Sequence, residues 1–126
     1  MRKMNRERFE QLVARAVSSL PEEFRSRLEN IDVVVEDQPS RTQLTRAGLR
    51  RGETLLGLYE GVPLTFRSSH YGLVPPDRVT IFQKPIEAKC RYGAEIISEV
   101  ERVVRHELAH HFGIGDGRLE QLEKES

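Results

Sequence analysis

His106 and His110 stand one helical turn apart in the run HELAHHFGIGD (106–116), and Glu107 sits beside the first of them. Side chains at i and i+4 share a helix face, so the two imidazoles can grip one divalent cation. Glu107 is then positioned to take a proton from water at that cation. Gly113 can adopt the left-handed conformation that ends a helix, and a turn there brings Asp116 back toward the same ion. Two imidazoles and one carboxylate leave the fourth position of a tetrahedral zinc site open for water, the mark of a catalytic centre. The predicted centre is thus His106, His110 and Asp116 on Zn2+, with Glu107 as general base. Asp116 has a second reading, as N-cap of a short helix over 117–124. The two roles are compatible, because the two carboxylate oxygens can serve different partners.

A helix must carry this motif, and the sequence supplies one. Ile96, Ile97, Val100, Val103, Val104 and Leu108 recur at three- and four-residue spacing, which predicts an amphipathic helix over about 92–112. His106 and His110 fall on the flank of its apolar stripe, at the border between core and solvent. His111 falls nearer the middle, so it is expected to be buried as a supporting residue and not a ligand.

Upstream, Phe9, Leu12, Val13, Ala16, Val17 and Leu20 form a helical stripe over about 5–20. Pro21 suits the first turn of a second helix reaching about residue 29, with Phe24 and Leu28 inward. The β-branched run within 31–36 reads as a strand. A polar, basic loop follows over 37–53, with one helical turn around 44–49. Strands are expected at 54–60 and 79–83. Gly61 and Pro63 suit an edge position for the first of these, and Pro85 ends the second ahead of the metal helix. Helices and a mixed sheet of three or four strands give an α+β domain spanning 1–126, its sheet covered by the first and the metal-bearing helices.

Composition narrows the function classes. Twenty basic and twenty acidic residues cancel, so no nucleic acid or anionic membrane partner is expected. No signal peptide or membrane span is legible, and the single cysteine, Cys90, fits a reducing interior; the expected location is cytoplasmic. Cys90 reads as an incidental residue at a helix start, the alternative being a thiolate that masks the metal.

At the metal motif the chain resembles the zincin metallopeptidases, and more closely a small bacterial family of zincin-like, possible zinc metallopeptidases. LPEEF (20–24), GLYEGVPLT (57–65), LVPPDRVTIF (73–82) and the motif itself look like that family's segments in order. The resemblance implies a minimal zincin fold, a metalloprotease-type hydrolase, Zn2+ as cofactor, and the ligand and base roles given above. It also implies an edge strand above the metal that pairs with an extended peptide or protein substrate, for which residues 59–64, including Tyr59, Gly61, Val62 and Leu64, are the matching segment. His70 and Tyr71 are candidate oxyanion donors, and Arg67 a candidate partner for a substrate carboxylate. The chain departs from metzincins in having Asp116 where a third histidine is usual and in lacking a methionine turn. Ten residues follow Asp116, too few for a lower subdomain, so the site is expected to be shallow.

Two other functions fit parts of this pattern. Zinc could brace a non-catalytic module whose exposed strand recruits a partner chain. A metal-dependent endoribonuclease would use similar spacing, but Glu107 and Gly117 stand where that pattern has glycine and histidine. Arg41, Arg46, Arg50 and Arg51 would be its only basic cluster.

Overall fold

Asn5 opens the first helix, α1 (Arg6–Ser18), by accepting a hydrogen bond from the Arg8 amide at 2.8 Å. Such a cap satisfies one of the N–H groups a helix start leaves without a partner. Phe9, Leu12, Val13 and Ala16 then point inward at helical spacing. Pro21 lies just outside α2 (Glu22–Arg27), one position earlier than its expected place in the first turn. A single 3₁₀ turn, Leu28–Asn30, leads into β1 (Ile31–Glu36), whose bounds match the expected strand.

The computed structural model describes residues 4–49, 54–61 and 76–113. Within them follow α3 (Arg41–Arg46), β2 (Gly57–Glu60), β3 (Asp77–Phe82), α4 (Gln83–Lys89) and α5 (Gly93–Phe112). The single helical turn expected at 44–49 is α3, displaced toward the N-terminus. Its start is set by a reciprocal capping box between Ser40 and Gln43, which satisfies two amides at once. The helix α4 is an addition to the elements the sequence predicts. Strand β3 ends at Phe82 and the helix begins at once, with Pro85 in its first turn, where a missing N–H costs nothing.

The sheet order is β1-β3-β2, with β1 parallel and β2 antiparallel to the central strand. This is the expected mixed sheet, with β2 at an edge. In β3, Val79, Thr80, Ile81 and Phe82 are all buried, as both faces of a central strand must be. Val79 and Ile81 join α1 and α5 in the main core, together with Ile86 from α4. Each such side chain contributes roughly 1.5–3 kcal/mol by leaving water. None of the described helices is long and apolar enough to cross a membrane.

Cys90 is buried in that core at the end of α4. Burial, reinforced by Glu99 and Glu95, pushes its thiol pKa up, which keeps it protonated near neutral pH.

Candidate metal centre

Helix α5 carries the motif in its second half. Ile96, Val100, Val103, Val104 and Leu108 anchor one face against α1 and the sheet. His106 and Glu107 are half-buried and His110 is exposed, the border position that their place beside the apolar stripe predicts. The helix ends at Gly113, whose φ of 70° is the left-handed conformation expected of it.

The His106 and His110 rings lie with their centroids 6.3 Å apart at an interplanar angle of 62°. A tetrahedral ion bound through one nitrogen of each ring would bring the centroids to about 5 Å. Small side-chain rotations close that gap, so the two imidazoles fit a zinc ion as a pair. Among the described residues, no three His, Cys, Asp or Glu side chains converge on one point. Asp116, the expected third ligand, lies outside the described residues, as do Val62, Leu64, Arg67, His70 and Tyr71.

Glu107 reaches across to β2, where its Oε1 accepts the Tyr59 main-chain N–H at 2.8 Å. That N–H points away from the sheet. Phe82 donates its amide to the Leu56 carbonyl at 3.0 Å. In an antiparallel pair the narrow, hydrogen-bonded positions alternate, so the even-numbered residues of β2 face β3 and Tyr59 turns both main-chain groups to the open edge. The motif glutamate thus sits on the side of β2 that faces away from β3, in the strand that the resemblance marks for substrate. Of the substrate-binding candidates, the structure brings Tyr59 to the motif and sets Gly61 directly after β2.

His111 departs from expectation. It is exposed, not buried, and its ring stacks on Tyr59 with centroids 3.8 Å apart and 18° between planes. The apolar stripe ends at Leu108 and Ala109, and beyond them the helix runs alongside the edge of β2. Phe112 meets both His111 and Tyr59 edge-on, and the Arg27 guanidinium lies 4.5 Å above its ring. The Tyr59 hydroxyl donates to Asp77 Oδ2 of β3 at 2.6 Å, pinning the far end of the same side chain.

A polar groove of about 580 Å³ runs down α5 from His106 past Arg102, Glu99 and Glu95. Burial raises the Glu99 pKa, but hydrogen bonds and charge from Arg102 and Lys89 outweigh it, so the carboxyl titrates below the usual range. A larger groove of about 630 Å³ lies between α1, α2 and β1, toward the sheet edge opposite β2. Its walls are mainly Val13, Val17, Leu28, Val33 and Val35, and it includes no residue of the motif, so chemistry favours the smaller one.

Two contacts were not legible from spacing alone. One is the bond from Tyr59 to Glu107. The other is the approach of α5 to Gly57, where an added Cβ would lie 2.4 Å from Val103 Cγ1. A glycine inside a strand is the available signal for such an approach.

A family model described as zincin-like metallopeptidase matches residues 28–126. Among solved structures, a conserved hypothetical protein from Thermo thermophilus is similar, with 24% identity and a TM-score of 0.55. That likeness covers 90% of this chain and 99% of the other, and it concerns the fold alone. No curated protein matches the chain.

Proposed function

Since the chain belongs to the zincin-like metallopeptidase family, we propose that it is a zinc-dependent peptidase in which Glu107 is the general base. The observation that carries this reading is the Glu107 carboxylate on the outward amide of edge strand β2, beside the paired imidazoles of His106 and His110. Ligand pair, acid and strand edge are the three parts a water-mediated attack on an extended peptide requires.

His106 and His110 would hold the ion from one helix face, and Asp116 would complete the set from the turn after Gly113. When bound, zinc supplies Lewis acidity toward water and toward a peptide carbonyl. Glu107 takes a proton from the attacking water and returns it to the departing amine. Strand β2 would present its outer edge to an extended substrate, the main-chain pairing that fixes a peptide along a strand. The groove leading away from His106 gives substrate side chains a polar wall.

The test is cleavage of a mixed peptide library by the zinc-loaded protein and by Glu107→Gln. Glutamine keeps the shape and an acceptor oxygen but cannot take the proton. Turnover should fall by about 10²–10⁴ with zinc still bound. Parental turnover in Glu107→Gln would remove Glu107 from the role of base.

A further inference from the structure

The helix and the strand at the site keep step with each other. Val103 of α5 lies against Gly57 of β2, and Glu107, four residues later, bonds to Tyr59, two residues later. Four helical residues advance about 6 Å, and two strand residues advance about 6.8 Å. One helical turn therefore matches one pleat repeat, and the contact at Gly57 fixes where the next one falls.

We propose that Gly57 and the Tyr59 main-chain amide together position the Glu107 carboxylate. The missing side chain at Gly57 lets α5 settle on β2, and the Tyr59 N–H then holds Oε1, leaving Oε2 as the oxygen that takes the proton. The role in proton transfer rests on the reading of Glu107 as base; the positioning itself is a matter of geometry.

Four observations carry it. The approach at Gly57 has no slack: an ideal Cβ there would sit 2.4 Å from Val103 Cγ1 and 3.2 Å from the Thr80 carbonyl oxygen. A Cβ there would force Val103 or the strand to shift, and with it the spacing of α5 and β2 that sets the 2.8 Å bond at Glu107. The amide is an edge donor with no role in the ladder with β3, and Glu107 of α5 is its acceptor. Tyr59 is itself held from both sides, by its hydroxyl on Asp77 and by its ring against His111, so its main chain is a fixed donor. Among the described residues Oε1 is the Glu107 oxygen engaged in a hydrogen bond.

Amide hydrogen exchange in the full chain, read residue by residue by NMR, tests the geometry without any need for turnover. In the parent, the Tyr59 amide should exchange roughly 10- to 100-fold more slowly than an open edge amide. Glu107→Ala and Gly57→Ala should each abolish that protection, while the Leu58 and Glu60 amides, which face β3, keep theirs. Adding Val103→Ala to Gly57→Ala removes the clashing methyl and should restore protection at Tyr59. Replacing Tyr59 by its α-hydroxy acid deletes the N–H alone; the Glu107 side chain should then pass from one rotamer to several, seen in its 13C methylene signals. Parental exchange at Tyr59 in Glu107→Ala would overturn the proposal. So would a single Glu107 rotamer in the hydroxy-acid variant, which decides the matter even if Gly57→Ala fails to fold. Loss of the general-base reading would leave these exchange results untouched, so the two failures are distinguishable.

Discussion

The two halves of α5 obey one helical period and do different work. In the first, residues 93–104, Ile96, Val100, Val103 and Val104 fill the core against α1 and the sheet, while the outer face carries the Glu99–Arg102 ion pair with Lys89 beside it. These charges close on one another. In the second, residues 105–112, only Arg105, Leu108 and Ala109 are buried; His106 lines the groove, Glu107 and His111 meet Tyr59 of β2, and His110 is exposed. The contrast shows how a small scaffold can place polar groups: the buried half anchors the helix, and the half at the strand edge carries the residues to which the proposed chemistry is assigned. The two halves meet near Val103, which packs on Gly57 of β2 one turn before Glu107.

If the division is real, substitutions in the two halves should separate activity from stability. The largest effect belongs to Glu107→Gln, where turnover falls by the factor given above and the unfolding free energy stays within about 0.5 kcal/mol of the parent. A matching drop in thermal stability would show that Glu107 is chiefly a tie between helix and strand. Next is Ile96→Ala in the buried half, expected to cost about 2–5 kcal/mol in denaturant unfolding. Zinc affinity of the folded fraction should be unchanged; a weakened affinity would mean that the halves are not separable. Tyr59→Phe removes the hydroxyl donated to Asp77 and should cost about 1 kcal/mol. The stack on His111 should persist, as judged by His111 ring-current shifts.

The smallest effect concerns acid. The Glu99 carboxyl titrates below its ordinary value in the folded protein, because Arg102 and Lys89 outweigh the opposing effect of burial. A lowered folded pKa means stability that is present above the unfolded value and lost as pH falls through the folded one. Glu99→Gln should therefore flatten the acid limb of the stability curve below about pH 4 and change nothing in proton uptake near neutrality. An unchanged acid limb would assign that sensitivity elsewhere.

Much of this arrangement can be read from the chain before it folds, and the parts that cannot have physical causes. The stripe from Ile96 to Leu108 predicts α5 because three- and four-residue spacing has no other regular solution, and the valines of β1 give its bounds for a similar reason. The left-handed Gly113 follows from its place just past the last apolar turn. Helix α4 is hidden by Pro85, which reads as a breaker until it is recognised as a first-turn residue. Helix α3 is displaced because the Ser40–Gln43 capping box outweighs the weak apolar cue of Leu44 and Leu49. His111 is misplaced by angle alone: periodicity says which way a side chain points, but not that the core ends at Ala109. The bond between Tyr59 and Glu107 spans 48 residues, and no local spacing encodes it. Sheet order has the same character, since β1 finds β3 in parallel with β2 and α3 in between.

The central claim is that His106 and His110 form the core of a zinc site on the exposed end of α5. Calorimetric titration of zinc into the metal-stripped protein tests it most directly. The account predicts one ion per chain in the parent and in Glu107→Gln, with binding weakened by at least about 100-fold in His110→Ala. Equal zinc affinity in His110→Ala and the parent, or a parent that takes up no zinc, would contradict it.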